Sequence, residues 1–418
     1  MQKGIIVGVN TSRDDKSFRN EMKELSSLCE ACNIEIVEEV TQNLDEQNIK
    51  TYIGKGKIEE LKIAINATDA DVIICNDELS PSQISTLQNI VDVLVFDRTY
   101  VILEIFKRRA KTREAILQVD IASLRYMLPR LSGLRSGFSR QRGAGGMAHG
   151  KGKGETQLEI DRRNIGSRIS LLKQELEQLT NNRKVQRIQR KKNNFKTVCL
   201  VGYTNSGKST TLNRLLAYSK DVRKEVFEKD MLFATLETST RKIKLENNKQ
   251  FLVTDTVGFV SKLPHELVEA FKSTLEEIKE CDLILHVVDS SNEHFEEQIE
   301  ATNKVLTGIG VKDIPIIYVF NKIDKHDEYF YIPPKYDNAI RISSKSDINI
   351  DKLLNIIQEN LFKSFKTTTF IIPYSKGDII NNLKENADVL EIIYEDFIYV
   401  KASVNEYLYN LYERYEKK

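Results

Sequence analysis

The feature that most constrains the fold is an apolar run that leads into a glycine-rich loop. Residues 197–201 read TVCLV, and residues 202–209 read GYTNSGKS. A buried strand followed by a glycine-rich loop that ends in Lys and Ser is the pattern of a phosphate-binding P-loop. The glycines let backbone N–H groups face phosphate oxygens, Lys208 offsets phosphate charge, and the Ser209 hydroxyl can bind Mg²⁺. We therefore predict a mainly parallel α/β domain with a nucleoside triphosphate site at one strand end.

Two later segments follow strands in the order that a guanine-nucleotide site requires. Residues 251–258 read FLVTDTVG, so Asp255 is predicted to hold magnesium through water and Gly258 to bring its N–H to the γ-phosphate. Residues 316–324 read IIYVFNKID and end in Asp324. Its carboxylate can accept from the ring N–H and from the exocyclic amine of guanine. Adenine lacks this pair of donors, so such a site discriminates strongly against ATP, and we predict GTP and GDP as ligands.

A third segment, Ser343-Ser344-Lys345, follows a short apolar strand and is predicted to close over the base. Together with the P-loop, these segments give the set of residues expected to contact the nucleotide. They are Gly202, Tyr203, Thr204, Asn205, Ser206, Gly207, Lys208, Ser209, Thr210, Asp255, Thr256, Val257, Gly258, Asn321, Lys322, Asp324, Ser343, Ser344 and Lys345.

The segment between the P-loop and Asp255 should contain a switch threonine, whose hydroxyl binds Mg²⁺ and whose N–H reaches the γ-phosphate. Residues 230–240 read DMLFATLETST. We favour Thr235, with Thr238 and Thr240 as alternatives, and we expect this loop to be ordered with GTP and released after hydrolysis. The predicted metal ligands are Ser209, Thr235 and Asp255.

The residue after Gly258 predicts how hydrolysis is controlled. Many GTPases place there a Gln that orients the attacking water, whereas this chain has Phe259, which neither donates nor accepts a hydrogen bond. We expect slow hydrolysis in isolation and stimulation by a partner. Asn205 can help to hold a monovalent cation beside the phosphates, or it can stabilise the loop as a plain amide, and the sequence leaves both open. The predicted catalytic residues are Lys208, Asn205, Thr235 and Gly258.

These motifs resemble those of the HflX family, in the Obg–HflX group of translation-factor-type P-loop GTPases. The resemblance rests on FATLE at 233–237 and DTVGF at 255–259, and it extends upstream. The upstream matches are YIGKGKIEEL at 52–61, LQV at 117–119, LPRL at 128–131 and GETQLEIDRR at 154–163. The chain departs from the family in having KGKGE at 151–155 in place of RGPGE. It also has no Trp, although one is common near Arg135 in relatives.

The resemblance implies an activity and a partner. It implies a GTPase with Mg²⁺ as a cofactor, and similarity to related P-loops suggests K⁺-assisted catalysis through Asn205. It also implies binding to the large ribosomal subunit, at ribosomal RNA near the peptidyl transferase centre, and GTP-dependent splitting of 70S ribosomes. We expect the protein to be a monomer.

Length and composition bound the organisation of the chain. A chain of 418 residues should form two to four domains. No stretch approaches the roughly 18 apolar residues of a membrane span, and residues 1–9 resemble a first strand rather than a signal peptide, so we expect a cytoplasmic protein. Cys29 and Cys32 form a lone CxxC within a helix-like segment. We favour core packing over a redox or metal role for this pair.

We predict four domains. Residues 1–98 alternate strands and helices as a small α/β domain, 99–193 form a long antiparallel helical hairpin, 194–363 form the GTPase domain and 364–418 form a small α+β domain. The hairpin prediction rests on two apolar stripes with spacings of three and four residues. The stripes are Leu117, Ile121, Leu124, Leu128 and Leu131, and Ile165, Ile169, Leu172, Leu176 and Leu179.

The predicted hairpin tip, at 132–154, is rich in glycine and basic residues, and no acidic residue occurs from Ile121 to Gly154. Such a segment cannot bury a core, and its cations suit phosphate. We therefore predict an RNA-binding loop, with a solvated loop as the alternative. A second basic run, at 183–192, is either a solvated helix end or a further phosphate contact. The candidate RNA-binding residues are Arg135, Arg140, Arg142, His149, Lys151 and Lys153.

Three other functions stay open at this stage. The first is a GTPase that assists large-subunit assembly. The second is an ATP-driven RNA-remodelling enzyme with a nucleotide at Gly54-Lys55-Gly56, a segment that a tight turn into a helix explains more simply. The third is an RNA-binding clamp whose nucleotide is only structural. The C-terminal domain offers no catalytic constellation, and docking against ribosomal protein or RNA follows from the resemblance alone.

Overall fold

A computed structural model gives the structure of the chain. It describes residues 2–12, 14–131, 151–192, 195–220, 239–262, 264, 267, 271, 275–326 and 328–417, with the backbone alone for 151–158 and 182–192. Two compact units divide the chain. The first holds residues 1–187 and 259–273, and the second holds most of residues 188–258 and all residues from 274 onward. The predicted boundaries near 98, 193 and 363 stay predictions.

The first unit begins with a four-stranded parallel sheet, as predicted. Its strands are β1 (Gln2–Asn10), β2 (Ile34–Asn43), β3 (Val72–Cys75) and β4 (Leu94–Asp97), in the order β2-β1-β3-β4, and its helices are α1 (Asp15–Ala31), α2 (Lys55–Thr68) and α3 (Pro81–Val91). Leu61 of α2 and Leu87 of α3 share a core with Ile73 of the sheet. α3 starts at a capping box, in which the Ser80 hydroxyl accepts from the Gln83 N–H.

Long helices follow this sheet. They are α4 (Arg98–Arg109), α5 (Arg113–Met127) and α6 (Lys151–Lys192), with a 3₁₀ turn at Leu128–Arg130. Leu117 and Ile121 of α5 pack on Ile169 and Leu172 of α6, so the two apolar stripes share one core as predicted, except that Leu128 and Leu131 are not part of it. The sequence did not predict α4 as a separate helix.

The predicted tip loop requires one correction. The backbone is helical from Lys151 onward, so Lys151 and Lys153 belong to the start of α6 and not to the loop. The other candidate RNA-binding residues lie outside the described residues; they are Arg135, Arg140, Arg142 and His149.

The second unit contains a six-stranded sheet that is parallel except for one edge strand. Its strands are β5 (Lys196–Val201), β6 (Ser239–Lys244), β7 (Gln250–Asp255), β8 (Leu283–Asp289), β9 (Ile316–Asn321) and β10 (Ala339–Arg341), in the order β10-β9-β8-β5-β7-β6. Its helices are α7 (Lys208–Ala217), α8 (Phe295–Gly308) and α9 (Ile350–Leu361), with 3₁₀ turns at Ile278–Glu280 and Ile323–Lys325. β5, β8 and β9 are mainly apolar because both faces of a central parallel strand are buried.

The chain ends in a small antiparallel module. β11 (Lys366–Ile372), β12 (Asp388–Tyr394) and β13 (Ile398–Val404) form a sheet in the order β11-β13-β12, with α10 (Gly377–Asn386), α11 (Glu406–Tyr412) and 3₁₀ turns at Tyr374–Lys376 and Glu413–Tyr415. Leu383 of α10 and Leu408 of α11 share a core with Val400 of β13. This confirms the predicted α+β module.

Cys29 and Cys32 are buried in the first unit, where desolvation raises the pKa of Cys29 strongly and that of Cys32 to about 11. The pair therefore behaves as core, as predicted. In the part of the chain that the structure describes, no helix has both the length and the apolar character needed to cross a membrane.

Candidate functional site

The loop between β5 and α7 has a backbone that only glycine can follow at two points. Gly202 has φ +148° and Gly207 has φ +93°. A Cβ on Gly202 would lie 2.2 Å from the Val287 carbonyl oxygen, and one on Gly207 would lie 2.2 Å from Asn321 Nδ2. Both the conformation and the close approach exclude larger residues. The sequence prediction of a tight P-loop is thus met by the backbone itself.

Lys208 begins α7 and is 6% exposed. Its Nζ donates to the carbonyl oxygens of Gly202, at 3.1 Å, and Tyr203, at 2.8 Å. Desolvation lowers the pKa of Lys208 to about 8, against the opposing effect of Asp255. A buried ammonium held mainly by carbonyls is costly, and an anion in the loop would offset that cost. The residues therefore fit a phosphate chain.

The DxxG segment closes on the same loop. Asp255 is fully buried at the end of β7 and accepts from Ser209 Oγ at 2.7 Å. The Thr256 hydroxyl donates to the Leu200 carbonyl at 2.7 Å, which fixes the segment against β5. A Cβ on Gly258 would lie 2.9 Å from Thr204 Cα, so this glycine also permits a close approach. The paired hydroxyl and carboxylate are the hard oxygen donors that Mg²⁺ prefers.

The side-chain amide of Asn321 joins the P-loop to the segment that is predicted to close over the base. Asn321 Nδ2 donates to the Ser206 carbonyl at 3.0 Å, and its Oδ1 accepts from the Ser344 N–H at 2.9 Å. Asp324 is exposed, and Ser343 Oγ donates to its carboxylate at 2.5 Å. The predicted guanine reader is therefore oriented by the loop that was predicted to close over the base.

Three family models match consecutive parts of the chain. They are described as GTP-binding GTPase N-terminal (residues 19–107), GTP-binding GTPase Middle Region (109–190) and 50S ribosome-binding GTPase (197–322). GTPase HflX of Caldanaerobacter subterraneus is 44% identical over 407 residues, which cover 96% of this chain and 91% of that protein. GTPase HflX of Escherichia coli K12 is 36% identical over 364 residues, covering 85% and 83%. The chain belongs to the HflX GTPase family.

A solved structure is also similar to this HflX-family chain. It is a GTP-binding protein from the archaeon Sulfolobus solfataricus in complex with GDP, at 23% identity, with 87% of this chain and 99% of that chain covered and a TM-score of 0.42. The family assignment rests on the sequence relatives. With a P-loop GTPase domain and these relatives, the chain is a GTPase.

The sequence did not predict two residues that support the site. Arg214 of α7 donates through Nε to the Ser344 carbonyl at 2.8 Å and through Nη2 to the Lys345 carbonyl at 3.1 Å. The Thr211 hydroxyl lies 2.8 Å from Ser344 Oγ. Both contact the loop that is predicted to close over the base. Their partners are more than a hundred residues away, so no local pattern could reveal these contacts.

For four of the predicted residues, the roles that the sequence left open stay predictions. Asn205 is exposed and has φ +59°, a conformation that Asn tolerates better than most residues. Thr235 and Thr238 lie outside the described residues. Thr240 lies in β6, where its hydroxyl is 3.0 Å from Thr254 Oγ1.

The segment after DxxG, at 259–273, belongs to the first unit. Ser261 Oγ accepts from Arg98 Nη2 at 2.7 Å and donates to Glu24. Lys262 Nζ lies 2.6 Å from both Glu21 and Asp77.

Further contacts fix the same segment. The Phe271 ring meets the Phe106 ring edge-on, with centroids 5.3 Å apart. Phe259 is only 2% exposed. The sequence did not predict that the residues following the γ-phosphate glycine would pack on the N-terminal α/β domain.

Proposed function

We propose that this GTPase binds the large ribosomal subunit, splits 70S ribosomes in its GTP form and hydrolyses GTP when the ribosome stimulates it. The observation that carries the proposal is Phe259: the DxxG segment is followed by a buried aromatic ring where many GTPases carry a water-orienting Gln. An enzyme with that arrangement needs outside help to align water. The family model described as 50S ribosome-binding GTPase supports the ribosome as the source of that help.

The residues of the site divide by role. Lys208 and the P-loop N–H groups would hold the phosphates, and Asp324 with Asn321 would read guanine. Ser209, Asp255 and Thr235 would hold Mg²⁺, which offsets the charge that develops on the phosphates. Asn205 would help to hold K⁺ beside them.

The contact with RNA is proposed for the middle region. Arg135, Arg140, Arg142, His149, Lys151 and Lys153 would meet ribosomal RNA near the peptidyl transferase centre. The support is a stretch from Ile121 to Gly154 with no acidic residue, which suits a phosphate-lined cavity. The protein would act as a monomer. With ribosomes as partner, it would act in the cytoplasm.

Turnover measurements test this proposal. GTP hydrolysis by the full-length chain is followed with and without purified large subunits, and stimulation of at least about tenfold is expected. The triple variant R135A/R140A/R142A should lose most of that stimulation. The control K16A/K23A/K50A removes three exposed cations from the first unit and should keep it.

A gradient experiment tests the splitting step. Intact 70S ribosomes are incubated with the protein and a non-hydrolysable GTP analogue and then separated on sucrose. We expect free subunits in place of the 70S peak. Unchanged 70S peaks with the protein bound to them would refute splitting, and turnover that large subunits leave as slow as in buffer would refute ribosome activation.

A further inference from the structure

The turn between β12 and β13 carries exposed apolar side chains. We call the turn and its neighbours the β12–β13 tip, defined as Tyr374, Ile393, Tyr394, Glu395, Asp396 and Phe397. Tyr394 is 60% exposed, Tyr374 58%, Phe397 46% and Ile393 42%. Three aromatic rings and one aliphatic side chain thus face solvent in one small module, which is typical of an interaction surface.

The backbone brings these residues together. Tyr394 pairs with Ile398 across the hairpin, and the Glu395 N–H donates to the Phe397 carbonyl at 3.0 Å. The Tyr374 hydroxyl donates to the Glu395 carbonyl at 2.8 Å, which holds its ring at the turn.

The module has a complete core without these side chains. Ile398, Val400 and Leu383 are buried in it, each at most 4% exposed. The exposed rings are therefore not needed to close that core.

The tip is also acidic. From Glu385 to Val400 the sequence has five acidic residues and no Lys, Arg or His. Asp388 is paired with Lys249 at 3.3 Å, and Glu391 lies opposite Lys401 in the β12–β13 register. Glu395 and Asp396 are exposed, and neither forms an ion pair within the part of the chain that the structure describes.

Aromatic rings beside carboxylates suit a guanidinium or an ammonium group, because the ring face and the carboxylate both attract a cation. The same module holds an internal example. Lys366 Nζ lies 3.9 Å from the Tyr409 ring centroid and 2.9 Å from Glu416. The phosphates of nucleic acid or of an anionic membrane would instead be repelled by Glu395 and Asp396.

We propose that the β12–β13 tip is a docking surface for an arginine-rich segment of another protein. The guanidinium groups would stack on the exposed rings and pair with the two carboxylates, and Ile393 would cover the apolar part of the segment. This inference does not depend on the proposed ribosomal function, since it rests on the C-terminal module alone.

Calorimetric titration of the full-length protein with a synthetic peptide tests the proposal. The probe is a twelve-residue peptide with four arginines in a Gly/Ala/Leu background, and a matched peptide carries citrulline in place of arginine. We expect the arginine peptide to bind and the citrulline peptide to bind at least about tenfold more weakly. The variants E395Q/D396N and Y394S/F397S should each weaken binding by about tenfold or more.

Two matched variants serve as controls. E38Q/E39Q removes the same charge from exposed positions of β2, and Y331S removes a ring that is 72% exposed elsewhere. Both should bind the arginine peptide like the parent, and all variants should keep the parent melting temperature and GTP turnover.

Several results would overturn the proposal. They are no binding of the arginine peptide, equal binding of the citrulline peptide, or an equal loss in the controls. If the tip variants lose affinity for protein-free ribosomal RNA but not for the peptide, the tip binds RNA instead. If the parent chain self-associates in sedimentation velocity and the tip variants do not, the tip is an interface between two copies.

Discussion

The two parallel sheets of this protein end in polar residues at their carboxyl edges, but the edges are filled in different ways. In the GTPase sheet, Gly202, Gly207 and Gly258 let neighbouring loops approach one another closely, and Lys208 donates to backbone carbonyls. In the N-terminal sheet the corresponding edge is filled by the chain's own side chains. The carboxyl edge of a parallel sheet is the usual place for a ligand, and the GTPase edge carries a glycine-rich loop there.

Buried ionic groups fill the N-terminal edge. Asp97 accepts from the Tyr126 hydroxyl at 2.8 Å and lies 3.5 Å from Arg130, whose guanidinium stacks 3.7 Å from the Tyr126 ring centroid. Burial raises the pKa of Asp97, and Arg130 opposes that shift. Arg98, 1% exposed, donates to Asn76 Oδ1 at 2.8 Å. Both guanidinium groups are paired within the protein, so neither needs a phosphate to offset its charge.

The Gly54-Lys55-Gly56 segment agrees with this reading. The Gly54 N–H donates to Gln42 Oε1 at 2.9 Å, so this N–H at the start of α2 is already bonded within the chain and is not available to a phosphate. A Cβ on Gly56 would meet nothing within 4 Å. Close packing does not require a glycine at position 56 as it does at 202 and 207, which favours the tight turn over a second nucleotide site.

The largest expected effect concerns Arg98. Replacing it by Ala leaves Glu24 without its buried partner, and we expect a loss of about 3–5 kcal/mol in the free energy of unfolding. Denaturant titration of the full chain measures it. R113A, which breaks the exposed Arg113–Glu175 pair, should change little. An unchanged stability in R98A would contradict the structural role of this edge.

Glycine variants test directly whether close packing in the P-loop is required for nucleotide binding. G202A should lose at least about a hundredfold in GTP affinity, because its Cβ overlaps the Val287 carbonyl and displaces the loop. G56A and G308A place a methyl group in open space and should bind fluorescent GTP like the parent. If G56A lost affinity as well, the contrast between the two sheets would fail.

The base contact gives an expected effect of similar size. D324N should weaken GTP binding about a hundredfold and favour xanthosine triphosphate, since the amide now matches the oxygen on that base. Competition binding with both nucleotides measures the switch. D347N, at an exposed position of the same loop region, is the control. GTP affinity that survives in D324N would exclude Asp324 as the reader.

A pH dependence should follow from Lys208. Its pKa is lowered to about 8 without ligand, and phosphate charge should raise it, so nucleotide binding takes up a proton as pH rises above about 8. GTP affinity should then fall with increasing pH, by up to about tenfold per pH unit. Calorimetry in two buffers of different ionisation enthalpy measures proton uptake, and K208M should show none at this step.

The smallest expected effect concerns Arg214. R214A removes two hydrogen bonds to the loop over the base, and we expect about 1 kcal/mol less GTP-binding free energy. Affinity for inorganic triphosphate should change less, because that ligand makes no base contact. Equal losses of affinity for GTP and for inorganic triphosphate would show that Arg214 acts on the phosphate contacts and not on the base contact.

The sequence predicted the backbone of the P-loop and the helical stripe because the determinants of both are local. Gly202 and Gly207 are required by their own backbone angles, and the stripe that contains Leu117 repeats along a single helix. What it missed depends on distant partners. Nothing near Ser261 in the sequence indicates Arg98 as its partner, and nothing near Ser344 indicates Arg214. The start of α6 at Lys151 was missed because glycines there resemble loop residues.

The side-chain amide of Asn321 joins two loops of the predicted nucleotide site. Its Nδ2 donates to the P-loop and its Oδ1 accepts from the Ser343–Ser344 turn, so a movement of one loop displaces the other. The contacts to the phosphates and the contacts to the purine should therefore form and break together, so GDP should dissociate in one step without an intermediate that keeps only one set of contacts.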